Sequence, residues 1–301
     1  MLKFPLVSFV VTSYNYSEFI EDTLDSINQQ TYENIELIIV DDNSTDNSVA
    51  VIEHFIQCNQ DKRITLIKHD KTQGQFSSML DGLRIAQGTF VAFIDSDDIL
   101  SKNYTEVHIR THMSLSTAFT TSQIVEIDEN NEIHTTNSIY APEYKDKIKV
   151  KTLEELLNIN PEEVEYKVIG NKKFGGWYWA PNSTAMYRKT AIDLILNYKH
   201  PEKWIVCPDK FLFNFAHLVG GSTMIYAPLL AYRRHMSNAG ENSYICGDKK
   251  YHTDKRFKIN IENNMKIRPE TFNFLINNRS KFKAKFGTRG YIKMLLKVIF
   301  Y

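Results

Sequence analysis

Long hydrophobic runs are missing from this sequence. No stretch approaches the roughly 18 consecutive apolar residues that a membrane-crossing helix needs, so no spanning segment is expected. Cysteine is scarce, with three in 301 residues: Cys58, Cys207 and Cys246. They form neither a C-x-x-C pair nor a zinc-ligand spacing, which removes a disulfide framework and a zinc fold and leaves a reduced, cytoplasmic setting as the default. Net charge is lacking too: 36 Lys+Arg balance 36 Asp+Glu, which argues against a surface devoted to nucleic acid. No G-x-G-x-x-G follows the first apolar run and no G-x-x-x-x-G-K-[ST] occurs anywhere. A bound nucleotide must therefore have its phosphates neutralised by something other than a Gly-rich nest. The opening MLKFPLVSFVV has one Lys and no A-x-A-like cleavage site, and reads as a first strand rather than a signal peptide.

What is present is ordinary globular material, 43% hydrophobic and 24% charged, enough for one large α/β domain with an extension. Residues 6–11, 35–40, 63–68 and 89–94 are apolar, β-branched runs of strand length. Between them, Phe19, Ile20, Leu24 and Ile27, then Val49, Ile52, Phe55 and Ile56, then Met79, Leu83 and Ala86 recur at helical spacing. Strands alternating with helices of this length predict a mostly parallel, Rossmann-like sheet with helices on both faces. Further on, the pattern predicts a strand over 118–127, helices over 153–159, 189–197 and 209–218, and a strand over 225–233. The segment 172–181, containing GGWYWAP, reads as a pocket-shaping loop.

Ligands of such sheets bind beyond the carboxyl ends of the strands, and there the sequence is acidic. The second strand runs into Asp41-Asp42 and the fourth into Asp95-Ser96-Asp97-Asp98. Either cluster alone is explained by a solvated turn or a helix N-cap. Two at one sheet edge point to a cation, because close carboxylates repel unless one sits among them. Oxygen ligands favour Mg²⁺ or Mn²⁺.

The segment VSFVVTSYNYSEFIEDTLDSINQQTYENIELIIVDDNSTDNS, then Gly74-Gln75, then GTFVAFIDSDDIL, resembles the family 2 glycosyltransferases. The likeness is dense over roughly residues 5–115, thinner to about 240 and absent beyond. It implies a GT-A fold and an inverting, metal-dependent transfer from a UDP-sugar to a saccharide or lipid-linked glycan acceptor in surface polysaccharide biosynthesis. Carried over residue by residue, it makes Thr12, Tyr14, Asn15, Asp42, Gly74, Asp95 and Ser96 donor contacts. Asp97 becomes a ligand of Mn²⁺ or Mg²⁺, with Asp98 near enough to share a role. The stretch Tyr232-Arg233-Arg234-His235-Met236-Ser237-Asn238 resembles the family's Y-R-x-H-x-x-N, which makes His235 a further metal ligand and Arg233 a phosphate partner. Asp209 matches the catalytic base, although Pro208 replaces the customary Glu before it. Trp177, Trp179 and Asn182 are the expected acceptor platform. Leu80 stands where the family usually has Asn. The reading divides the chain into a GT-A domain over 1–240, with donor and acceptor halves meeting near 115, and a helical basic extension over 241–301.

Two other classes compete: a nucleotidyltransferase-like enzyme, which would want a basic Gly-rich loop where Thr12-Ser13-Tyr14-Asn15 stands, and a non-catalytic nucleotide-sugar binder, which would have lost Asp97 or Asp209. The zero net charge is itself a cancellation. Residues 245–301 hold 14 basic and 4 acidic residues, leaving 22 basic and 32 acidic in 1–244. Ile292, Leu295, Leu296 and Ile299 share one helical face flanked by Lys293 and Lys297. That face suits peripheral contact through 281–301 with the inner surface of the plasma membrane, packing on the catalytic domain, or an oligomer contact.

Overall fold

A computed structural model describes residues 4–60, 62–135, 150–159, 164–171, 174–175, 179, 181–204, 207–235 and 254–300. The first half alternates strictly: β1 (Val7–Ser13), α1 (Ile20–Asn28), β2 (Ile35–Asp41), α2 (Ser48–Cys58), β3 (Ile64–Lys68), α3 (Gln75–Ile85) and β4 (Phe90–Asp95). Then follow β5 (Ile99–Leu100), α4 (Tyr104–Ser114), β6 (Phe119–Ile127), β7 (Ile133–Thr135), α5 (Leu153–Leu157), β8 (Tyr166–Ile169), β9 (Ala185–Arg188), α6 (Lys189–Ile192), α7 (Asp209–Gly220), β10 (Ser222–Arg233), α8 (Asp254–Asn277) and α9 (Arg279–Phe300).

One sheet runs β3-β2-β1-β4-β9-β6-β10-β5, with β7 on β6 and β8 on β10. Strands β1 to β4 pair in parallel; all seven residues of the central β1 are buried, while edge strand β3 stays partly exposed. The expected parallel sheet is interrupted by β9, a four-residue strand that pairs antiparallel with β4 on one side and β6 on the other. Two reversals cancel, so β6 and β10 run in the same sense as β4. Their carboxyl ends therefore share the edge where β1, β2 and β4 end. Hydrophobic side chains fill both faces. Residues from α1, α2 and α4 pack on one side, and those from α3 and α7 on the other. Ile267, Phe274 and Leu275 of α8 and Phe282, Tyr291, Met294 and Val298 of α9 join the second cluster. The basic extension is thus packed by one face onto the side of the sheet covered by α3 and α7.

A polar layer lies behind the sheet on α4. His112 Nε2 sits 2.9 Å from the Met186 carbonyl, which only accepts, so that nitrogen carries the proton. Thr120 Oγ1 lies 3.1 Å from the same nitrogen and 2.6 Å from His108 Nδ1. Burial holds both imidazoles neutral: it pushes His112 down to about 3 and His108 well below the usual range, with His112 adding to the latter. A histidine whose folded pKa is depressed contributes stability above the unfolded value near 6.5 and loses it as pH falls from there toward the folded value. The protein is expected to lose about 2 kcal/mol on this account from His112 alone by about pH 5. Urea midpoints between pH 7 and pH 5 check it, and His112→Gln should flatten the slope whatever it does to the absolute midpoint.

Candidate active site

The carboxyl edge of the sheet is built by register. Thr12 pairs with Val40 on one side and Asp95 on the other, and Ser13 pairs with Asp41. Each strand therefore delivers its terminal polar residues to one line. Thr12 is buried there, while Tyr14 emerges beside it with 45% of its surface exposed. Asn15 adopts φ 60; its amide oxygen accepts from Thr45 N at 2.7 Å and its own N–H donates to Ser44 Oγ at 2.9 Å. Its side chain is thus engaged in joining the loop after β1 to the loop after β2.

Asp42 is buried, and its oxygens organise the approach to α3. Oδ1 accepts from Gln73 N at 2.8 Å and lies 2.8 Å from His69 Nδ1, and Oδ2 accepts from Gly74 N at 2.7 Å. His69, whose importance the sequence patterns did not signal, reaches on through Nε2 to Asp81 Oδ2 at 3.1 Å. Gly74 has φ 89 and ψ 155, a conformation open essentially to glycine alone. No atom lies within 4 Å of where its Cβ would stand. Gly74→Ala is therefore expected to cost about 1–3 kcal/mol from backbone strain alone, read as a lowered urea midpoint, and to loosen the Gly74–Asp42 bond.

The acidic turn after β4 lies deeper than an ordinary solvated loop. Ser96, Asp97 and Asp98 are buried, and Asp95 is largely so. Burial, then the neighbouring Asp97, then Asp209 raise the Asp95 carboxyl well above the usual range, against a 2.6 Å hydrogen bond from Gln75 Nε2. Burial, Asp97 and Asp95 do the same to Asp98. Asp98 Oδ2, Ser96 Oγ and Ser13 Oγ are buried with no hydrogen-bond partner. Such orphaned oxygens beside clustered carboxylates are what a cation or polar ligand would satisfy.

His235, just after β10, places Nε2 3.0 Å from Asp97 Oδ2. Phe19 and Tyr16 hold its ring, with centroids at 4.5 and 5.5 Å. Tyr16 is the second residue that sequence reasoning passed over. Burial, then Asp97, Asp95 and Asp98, push its phenol far above the usual range, so it remains protonated beside the carboxylates. Its only sequence signal was being the second aromatic in T-S-Y-N-Y. Among the described residues, one trio of ligand-type atoms falls within 4.8 Å: Asp128 and Glu132 of the turn between β6 and β7, and His134 of β7.

Several expected site residues sit elsewhere. Arg233 is fully buried, with its guanidinium directed inward: Nε donates to the Asp97 carbonyl at 3.0 Å, one amino group to the Asp128 carbonyl at 3.1 Å, and the other to Asp22 Oδ2 at 2.9 Å. Its cation lies over the Phe19 ring at 4.8 Å. That geometry braces the acidic turn from behind instead of meeting a phosphate. Trp179 is 1% exposed, donates from Nε1 to Ser222 Oγ at 3.0 Å and stacks on Phe213. A sugar has no access to its ring. Asn182 is likewise buried, accepting from the Tyr187 hydroxyl at 2.9 Å. Both are core residues and not an acceptor platform; Trp177 lies outside the described residues.

Asp209 opens α7. Cys207 takes φ 56 and Pro208 precedes the first helical turn, and Asp209 Oδ1 accepts from Lys210 N at 2.9 Å. Its charge is felt at Asp95 and at Tyr187. Lys210 beside it is buried, and burial lowers its ammonium below the usual range. Carboxylates, a histidine, a tyrosine and a half-exposed candidate base thus share one edge.

A family model described as Glycosyl transferase family 2 matches residues 8–196, more than half of the chain. Over 239 residues the chain is 29% identical to EpsH of Bacillus subtilis (strain 168), covering 79% of this chain and 63% of EpsH. Over 105 residues it is 38% identical to WfaP of Escherichia coli, named UDP-Glc:alpha-D-GlcNAc-diphosphoundecaprenol beta-1,3-glucosyltransferase, covering 34% of this chain and 40% of that protein. The crystal structure of S. aureus TarS 1-349 in complex with UDP matches with a TM-score of 0.58 at 18% identity, over 76% of this chain and 61% of that one. The chain therefore spans less than two thirds of each of these relatives. The architecture shared with TarS is the α/β, GT-A-type fold expected from the sequence.

Proposed function

The chain belongs to glycosyl transferase family 2, and on that premise we propose that it is an inverting glycosyltransferase that moves a sugar from a UDP-sugar to a saccharide or lipid-linked glycan in polysaccharide biosynthesis. The observation that carries the reading is the buried acidic turn after β4, with His235 Nε2 3.0 Å from Asp97 Oδ2 and Asp98 Oδ2 without a hydrogen-bond partner. Support for the donor comes from TarS, crystallised with UDP and with UDP-GlcNAc. The name of WfaP adds UDP-Glc as a donor and a diphosphoundecaprenol-linked sugar as an acceptor.

In this reading Thr12 and Tyr14 line the uracil. Asp42 already accepts three hydrogen bonds from its own chain, which leaves Oδ2 a lone pair for the pyrimidine N–H. The residues fit a divalent cation: Asp97 and His235 supply an oxygen and a nitrogen, and the orphaned Asp98 Oδ2 lies in the same turn. Two protein ligands suffice, because Mg²⁺ and similar ions complete their shell with substrate phosphates and water. Mn²⁺ or Mg²⁺ bound there would offset the charge that develops on the departing diphosphate. Asp209 takes the proton of the acceptor hydroxyl as that oxygen bonds to the anomeric carbon; the bond from that carbon to the diphosphate breaks on the opposite face, and UDP leaves. Tyr16, kept protonated, offers a hydrogen-bond donor to a diphosphate oxygen. Arg233 is a positioning residue that fixes the acidic turn.

A thermal-shift screen of UDP-, GDP- and dTDP-sugars with Mn²⁺, followed by nucleotide-release assays with saccharide acceptors, tests the reading. UDP-sugars should stabilise the protein and release UDP. Stabilisation by another nucleotide class alone, or binding without release, counts against it.

A further inference from the structure

The last helix is apolar on two sides. Gly287, with φ 68, interrupts α9, so residues 288–300 form a separate helical segment about 20 Å long. Tyr291, Met294 and Val298 fall within an arc of about 60° and are buried against the catalytic half. On nearly the opposite side, Ile292, Leu296, Ile299 and Phe300 span about 100° and stay exposed, at 46, 45, 52 and 71%. A helix whose only task is to close the core needs one apolar face, and its outer side is expected to be polar. Here the outer side is a ridge of branched aliphatic and aromatic side chains.

The charge around this ridge is of one sign. Residues 279–300 carry Arg279, Lys281, Lys283, Lys285, Arg289, Lys293 and Lys297 and no Asp or Glu. On the wheel Arg289 lies within the ridge's arc, and Lys293 and then Lys297 follow along its flank. Other basic residues of this helix contact the chain at its surface: Lys285 donates to the Thr190 carbonyl, and Lys283 lies near the Tyr291 ring at 5.8 Å. The contacts that seat the hairpin come from elsewhere, including Arg268 donating to the Val298 carbonyl at 2.9 Å and Lys203 pairing with Glu270 at 2.6 Å. Arg289 and Lys293 stay exposed at the margin of the ridge, while Lys297 lies farther round, half-buried on the side of His217. Among the described residues no helix is long and apolar enough to cross a membrane.

We propose that this ridge docks α9 flat on an anionic lipid surface, with Ile292, Leu296, Ile299 and Phe300 entering the headgroup boundary and Arg289 and Lys293 meeting the lipid charges. A helix of this kind, apolar on its inserted side and basic at the margin, is bound by apolar burial and electrostatic attraction together. A second protein copy would bring the same positive charge to the contact and be repelled, which is why the lipid is the better complement. The docked face leaves the core contacts of Tyr291, Met294 and Val298 untouched.

Vesicle co-sedimentation of the full chain tests this. Vesicles containing phosphatidylglycerol should bind the protein, and vesicles of phosphatidylcholine alone should not; added salt should weaken the binding. Ile292→Ser/Leu296→Ser/Ile299→Ser should reduce binding roughly tenfold or more, and so should Arg289→Glu/Lys293→Glu. Both variants change exposed or marginal positions and should keep the wild-type thermal midpoint. No preference for anionic vesicles, or binding that survives both variants, overturns the proposal. A wild-type oligomer that the serine variant turns into monomer, with no vesicle binding by either, overturns it in favour of self-association.

Discussion

Asp209→Asn is expected to lower turnover by about 10²–10⁴-fold while UDP with Mn²⁺ still raises the thermal midpoint. The amide keeps the shape of the carboxylate and its place in the first turn of α7, including an acceptor for the Lys210 N–H that now lies 2.9 Å from Asp209 Oδ1. What it loses is the capacity to take a proton. The alternative role for a first-turn carboxylate is to offset the helix dipole, worth about 0.3–1 kcal/mol. That role predicts a small drop in midpoint and unchanged turnover, the opposite signature. UDP-release rates with a working acceptor, measured beside UDP-induced thermal shifts, separate the two. Loss of UDP stabilisation in the variant would mean that Asp209 holds the donor rather than serving as base.

The half of the fold that could be read from sequence is the half made locally. Strands β1 and β4 are continuous, mostly apolar runs, and the helices around them carry their apolar residues at one spacing; both signals survive folding because both faces of the central strands are covered. Strand β9 was not legible. Ala185–Arg188 is four residues long, abuts a helix and becomes a strand only because β4 and β6 leave a gap that its backbone fills. Two-residue β5 and the short β8 escape for the same reason. The tail was legible as basic and helical, but its two-faced character was not, since the burial of Tyr291 and Met294 depends on where α7 and α8 stand.

The site divides in the same way. The acidic turns at the ends of β2 and β4 were visible because carboxylates after buried strands are costly and carry a pattern. The partners that decide what those carboxylates do are distant in sequence: His235 reaches Asp97 across 138 positions, and His69 reaches Asp42 across 27. Composition misled where chemistry has two uses. A tryptophan in a Gly-rich loop looks like a sugar platform, yet Trp179 is large enough to be worth more in the core beside Phe119 and Phe213. Arginine after the last strand looks like a phosphate clamp, yet Arg233 finds two carbonyls and a carboxylate within its own chain.

That last contact makes Asp97 a clean position to alter. Arg233 holds the backbone carbonyl of Asp97, a bond that Asp97→Asn keeps, so the acidic turn should stay where it is. It also removes a charge that pushes up both Asp95 and Asp98. Without added metal the variant is therefore expected to match or exceed the wild-type midpoint near neutral pH, since a carboxyl raised in the folded state opposes folding once pH passes its unfolded value. With metal the order should reverse. Outer partners of metal ligands typically contribute 10–100-fold in affinity, so loss of a direct ligand should weaken Mn²⁺-dependent UDP binding by at least about 100-fold. Arg233→Met should behave differently: it leaves the Asp97 and Asp128 carbonyls without their donor, which is expected to cost about 1–3 kcal/mol each and to lower the midpoint with or without metal. Calorimetric UDP titrations with and without Mn²⁺, run beside thermal melts, distinguish the ligand from the brace. A destabilised Asp97→Asn that still binds UDP in a Mn²⁺-dependent way would assign Asp97 to the fold and require the cation to sit elsewhere.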